Sequence, residues 1–160
     1  MSFCGDDVYW QSSARNVVKK IATKTNRAKF DMIVCQGLSG QSIGFLAAYE
    51  MGVPLLVLRK TTGEEHSKRA ASRQHVALLE GANLVRQWAH AHGKPPRVLF
   101  VDDCIASGNT RARCGAAVHA AGGVLTCEAT GDGFHTLTTS CVESFKNASM
   151  TARRAAQPWG

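Results

Sequence analysis

Two adjacent carboxylates, Asp102 and Asp103, close the apolar run Val98-Leu99-Phe100-Val101, and after Cys104-Ile105 comes a turn of small and hydroxyl-bearing residues, Ala106-Ser107-Gly108-Asn109-Thr110. Those residue types in that order suit a sugar phosphate. A small-residue turn that opens a helix offers unbonded backbone N–H groups to a phosphate, and carboxylates accept hydrogen bonds from sugar hydroxyls. Each piece alone is ordinary, because small polar residues are common at any strand-to-helix turn. The ordered string carries the reading.

Two further segments have anion chemistry. Gly37-Leu38-Ser39-Gly40 follows the apolar run Asp31–Gln36, and open backbone N–H groups of such a turn can cradle an anion. Taken singly it is equally a turn that needs positive φ. Arg59 and Lys60 end the apolar run Pro54–Leu58 and could neutralise an anion, Arg through its forked donors. Taken singly they are equally a strand end capped by solvated charge.

The elements that must position these residues follow from periodicity and turn chemistry. A helix is predicted over 8–26, where Val8, Val17, Val18 and Ile21 share one face. Strands are predicted at 31–36, 54–58, 97–101 and 124–129. Helices are predicted at 41–51, ended by Gly52, at 81–92, and at 109–121, stopped by Gly122-Gly123. Residues 60–75 are polar and aperiodic and are expected as a long exposed loop; Gly93-Lys94-Pro95-Pro96 is a break. The last thirty residues declare no element. This alternation describes a parallel sheet covered by helices on both faces, where ligands bind beyond the carboxyl ends of the strands. Gly37–Gly40, Arg59-Lys60 and Asp102–Thr110 would then surround one crevice.

With 160 residues the chain suits one domain, and 44% hydrophobic with 19% charged residues is globular. Nothing in it resembles a membrane span or a signal peptide. Cysteines 4, 35, 104, 114, 127 and 141 form no C-x-x-C pair, so reduced thiols and a cytoplasmic location are expected. The net charge is +7, and six basic residues (Arg15, Lys19, Lys20, Lys24, Arg27, Lys29) lie between Val8 and Phe30 with no acid among them. That segment suits either a solvated helix face or attraction to a polyanion. A Walker-type phosphate loop, dinucleotide glycine spacing and a Gly-x-Ser-x-Gly elbow are all missing from the sequence. His90 and His92 have no partners at zinc-finger spacing.

The string Val98–Thr110 closely resembles the phosphoribosyl-pyrophosphate (PRPP) motif of the type I phosphoribosyltransferases; Cys104 stands where an aliphatic residue is usual. The resemblance runs over about residues 31–130 and takes in Gly37–Gly40 as the pyrophosphate loop and Arg59-Lys60 as the end of the second core strand. It implies a type I phosphoribosyltransferase-like α/β fold, a parallel sheet flanked by helices, in a single domain 1–160 with a small hood built from 1–30 and 131–160. It implies that Asp102 and Asp103 hold the ribose hydroxyls and meet magnesium indirectly, through those hydroxyls or water. It gives Ala106, Ser107, Gly108, Asn109 and Thr110 the 5-phosphate, and Gly37, Leu38, Ser39, Gly40, Arg59 and Lys60 the pyrophosphate. Residues 61–75 fall where the family carries a catalytic lid, with Lys68, Arg69 and Arg73 able to reach over a diphosphate and Lys68 counted as catalytic.

The implied activity is transfer of the 5-phosphoribosyl group from PRPP to a nitrogenous base with Mg2+, in nucleobase salvage, by a homodimer. Ala106 stands where the hypoxanthine-guanine branch carries an Asp, which turns the reading away from 6-oxopurines. The loop 60–75 matches the orotate branch poorly. Phe134, Trp159 and Trp10 are the candidates for stacking on a base, against ordinary packing roles. The alternative is a non-catalytic PRPP- or nucleotide-sensing regulator that binds RNA or DNA through its basic N-terminal segment.

Overall fold

The computed structural model describes residues 18–19, 30–59, 78–103, 107–131 and 133–155. In chain order its elements are β1 (Met32–Gln36), α1 (Gly37–Met51), β2 (Leu55–Arg59), β3 (Leu78–Glu80), α2 (Ala82–His92), β4 (Arg97–Val101), α3 (Asn109–Ala121), β5 (Val124–Thr130), β6 (Gly133–Thr136) and α4 (Thr139–Ala155). The strands form one sheet in the order β3-β2-β1-β4-β5-β6. The four central strands are parallel, as expected, in registers such as Ile33 opposite Leu55, Val34 opposite Phe100 and Phe100 opposite Glu128. Both edge strands, β3 and β6, are antiparallel additions.

Strict alternation of side chains sorts the apolar runs between two cores. Met32, Val34, Val98 and Phe100 point to the face covered by α2, α3 and α4, where Val85, Val118 and Phe145 meet them. Ile33, Leu99 and Val101 point to the other face, against Ile43, Ala47 and Ala48 of α1. Phe100 and Ile43 are fully buried, each worth about 1.5–3 kcal/mol of apolar burial. α1 ends where expected, at Gly52, whose φ of 62° lets its N–H cap the carbonyls of Ala48 and Tyr49.

The tail assigned to a hood continues this body instead. β6 pairs with β5, and α4 packs on α3, with Phe145 seated over Gly115 so closely that a β-carbon there would lie 2.5 Å from the ring. The periodicity of α4 was hard to read because one of its buried positions is polar, Ser149. Of the expected N-terminal helix, residues 18 and 19 are helical, and Val18 packs beside the α1 core. Arg15, Lys20, Lys24, Arg27, Lys29, Trp10 and Trp159 lie outside the described residues. No helix among the described residues is long and apolar enough to cross a membrane.

At the amino edge of the sheet, Asp31 and Arg97 tie β1 to β4. The Asp31 carboxylate accepts from the Arg97 backbone N–H at 2.8 Å, from Nε at 3.1 Å and from Nη2 at 3.1 Å.

Candidate active site

All four parallel strands end at the opposite edge, in Gln36, Arg59, Val101 and Thr130. The chain leaves β1 abruptly. Gly37 has a φ of 75°, which turns strand into helix within one residue. Gly37–Gly40 is therefore the first turn of α1, not a separate turn ahead of a helix starting at 41. The anion-binding capacity is retained in another form, because the first N–H groups of a helix have no intrahelical acceptor. Leu38 and Ser39 contribute backbone to that turn; their side chains lie outside the described set. Gly40 brings the turn down onto the acids: a β-carbon there would stand 3.4 Å from Asp102 Oδ1 and 3.4 Å from the Val101 carbonyl.

Both carboxylates are held by backbone bonds that extend the sheet past its last residues. Asp102 N–H donates to the Ala129 carbonyl at 3.2 Å, and Gly131 N–H donates to the Asp103 carbonyl at 2.9 Å. Asp102 Oδ1 accepts from the Asp103 N–H at 2.9 Å. The two acids are not equivalent. Asp102 is 7% exposed, while Asp103 is half-buried. Burial, followed by the hydrogen-bonded Asp103 carboxyl, pushes Asp102 up to about 7, so near neutral pH it holds a proton much of the time. Burial, with Asp102 nearby, pushes the Cys35 thiol up to about 12 and keeps it neutral.

The residues expected to seat a 5-phosphate lead into α3. Gly108 caps the helix in the left-handed region at φ 76°, and its carbonyl accepts the Ala112 N–H at 2.9 Å. Ser107 Oγ accepts the Asn109 N–H at 3.3 Å. Ser107 and Asn109 are exposed, and Gly108 and Thr110 half-buried, so the loop faces out of the sheet edge. Ala106 lies outside the described residues, as do Lys60, Lys68 and all of 60–77. Arg59 stands at the end of β2, where its Nε pairs with Glu80 of β3 at 3.0 Å. Both partners are well exposed, and such a pair is worth only about 0–1 kcal/mol, so a diphosphate could recruit Arg59 from it.

One polar residue at this edge was missed in the sequence. Gln36, the last residue of β1, is 5% exposed, and its Oε1 is buried without a hydrogen-bond partner. The available signal was a carboxamide closing an otherwise apolar run. Phe134, a stacking candidate, is instead partly buried against the α1 core.

The arrangement has counterparts among known proteins. The chain is 32% identical over 114 residues to the adenine phosphoribosyltransferase of Nitrosospira multiformis, an alignment covering 71% of this chain and 63% of that one. The chain is similar in sequence to this phosphoribosyltransferase and in fold to solved ones. The adenine phosphoribosyltransferase of Thermoanaerobacter pseudethanolicus aligns at a TM-score of 0.52 and 22% identity, over 77% of this chain and 67% of that one. The orotate phosphoribosyltransferase of Aeropyrum pernix aligns at 0.51 and 16%, over 78% of this chain and 59% of that one. No family model matches the sequence. The chain spans less than two thirds of the length of the curated relative it matches.

Proposed function

We propose that the chain transfers the 5-phosphoribosyl group of PRPP to a ring nitrogen of a nucleobase, adenine first among them, releasing pyrophosphate in nucleobase salvage. What supports this reading most is the acid pair Asp102-Asp103 at the end of β4, with the first turn of α1 against Asp102 and the loop 107–110 following at the entry to α3. A molecule with a ribose in its middle and phosphates at both ends fits that order. The name of the curated relative and Ala106 both favour adenine over 6-oxopurines.

In this reading the carbon–oxygen bond to the diphosphate breaks and a bond from the ring nitrogen to the same carbon forms, with the nitrogen's proton released. The protein mainly positions the partners and stabilises charge. Asp102 and Asp103 hold the ribose hydroxyls and lie near the positive charge that develops on the sugar. The N–H groups of Gly37–Gly40, with Arg59 and Lys60, receive the departing diphosphate. Ala106, Ser107, Gly108, Asn109 and Thr110 seat the 5-phosphate. Residues 61–75, with Lys68, exclude water from the reactive sugar.

The donors at the edge suit magnesium. Asp102 and Asp103 are hard oxygen ligands, and among the described residues no three acids, histidines or cysteines gather into a cage. That favours an ion which keeps its waters and is carried on the diphosphate. When bound, magnesium would supply charge neutralisation of the leaving group.

A homodimer and a cytoplasmic setting belong to the same reading. Phe45, Leu46 and Tyr49 are exposed on α1 and offer apolar surface to a second copy; sedimentation at twice 17.2 kDa would support it. The regulator alternative is set aside, since the proteins similar in sequence and fold are named as transferases.

The test is pyrophosphate release from PRPP with magnesium, across adenine, other purines, pyrimidines and orotate, with a no-base control. Release that depends on one base supports transfer and names the acceptor. PRPP binding without release for any base would overturn it.

A further inference from the structure

Arg111 occupies the third position of α3, one residue beyond the loop assigned to the 5-phosphate. Its Nη2 lies 3.7 Å from where a β-carbon on Gly108 would stand. From beneath, Nη1 donates to Glu128 Oε2 of β5 at 2.6 Å. The pair is sheltered: the side chains are 27% and 11% exposed. Nε is buried with no hydrogen-bond partner.

A sheltered ion pair is a poor choice for stability alone. Desolvating two charges costs free energy that apolar side chains of the same volume would not incur. A guanidinium has five donors in a rigid fork, and Glu128 engages one edge of it. Nη2, on the other arm of the fork, stands beside the loop. We infer that Arg111, oriented by Glu128, is a further ligand-binding residue that donates to the phosphoryl group seated on loop 107–110. The inference rests on the proposed function, which puts a phosphate there. The 5-phosphate is then recognised by a fixed cation as well as by backbone N–H groups. Glu128 is a positioning residue: it touches no ligand and acts only through Arg111.

Calorimetric titration with ribose 5-phosphate and, separately, with inorganic pyrophosphate tests this. Arg111→Gln is expected to weaken ribose 5-phosphate binding about tenfold or more, the usual loss for a hydrogen bond to a charged group, and to leave pyrophosphate binding within about twofold. Arg111→Lys keeps the charge without the fork and should recover only part of the loss. Glu128→Gln should weaken ribose 5-phosphate binding less, and should add nothing to Arg111→Gln, because its effect passes through the same group. A purely structural tie between α3 and β5 predicts a lower melting temperature with both ligands affected alike, which would overturn the inference. Ribose 5-phosphate affinity unchanged in Arg111→Gln would also overturn it while leaving the proposed function standing. Should Arg111→Gln fail to fold, unchanged affinity in both Arg111→Lys and Glu128→Gln is the overturning result. A parent protein that binds neither PRPP nor ribose 5-phosphate would instead sink the functional reading itself.

Discussion

The two edges of the sheet treat the same side chain in opposite ways. At the amino edge, Asp31 precedes β1 and is met by three donors of Arg97. Burial alone would raise its pKa, but the Arg97 hydrogen bonds and charge outweigh it and leave the carboxyl below its usual value. At the carboxyl edge, Asp102 follows β4 and accepts its neighbour's N–H at 2.9 Å, and burial, followed by the hydrogen-bonded Asp103 carboxyl, pushes it up to about 7. Gln36, with its unpartnered Oε1, stands at that same edge. One edge has its polar groups satisfied and serves stability. The other buries a carboxyl that is costly to ionise and a carboxamide oxygen without a partner, features common at ligand-binding edges.

The contrast can be broken most directly by activity. Asp103→Asn is expected to cut turnover at least about tenfold while the melting temperature holds, since the amide can keep a hydrogen bond to Asp102 but loses the charge that faces the ligand. Unchanged pyrophosphate release would remove the functional half of the comparison. Asp31→Asn should do the reverse, costing about 1–2 kcal/mol of stability with turnover per folded molecule unchanged; the partly exposed Arg97 keeps the figure modest. Because the folded-state pKa of Asp31 lies below the unfolded value, its contribution is present above that value and lost as pH falls through the folded pKa. The melting difference between Asp31→Asn and the parent should therefore close as the pH drops below about 4.

Asp102 should show the opposite sign. Its folded pKa of about 7 exceeds the unfolded value of 3.8, so the parent loses stability as pH rises between the two. Asp102→Asn should melt higher than the parent at pH 8 and no higher at pH 4, while losing activity. A variant that melts lower at pH 8 would show that the carboxyl edge is not strained. The smallest effect belongs to Glu80→Gln, which should change stability by less than about 1 kcal/mol, as expected for an exposed pair. Its use is to sharpen the reading of Arg59: freed from Glu80, Arg59 should bind pyrophosphate no worse than before.

What was legible in the sequence was whatever local pattern controls. The central strands, the helix ends at Gly52 and Gly122, and the acid pair leading into the Ser107–Thr110 loop all rest on neighbours within one or two turns of chain. β3 escaped notice because three residues, Leu78–Glu80, carry no period. Gly131-Asp132 is a two-residue hairpin signal ahead of β6, but the strand Gly133–Thr136 is half exposed and shows no clean alternation. The start of α1 was misplaced because glycines at 37 and 40 read as a turn, whereas one positive φ made the turn and the helix took the remainder.

By itself, then, the sequence determined the strand-turn-helix units and the residue types gathered at their junctions, because period, glycine and capping are local. Only the tertiary structure decided which acid is buried with its pKa raised, which is paired with its pKa lowered, and which arginine stands beside the loop. Asp31 meets Arg97 across 66 residues, and Arg111 meets Glu128 across 17. Desolvation and charge pairing depend on what the fold brings alongside, and no spacing along the chain encodes that.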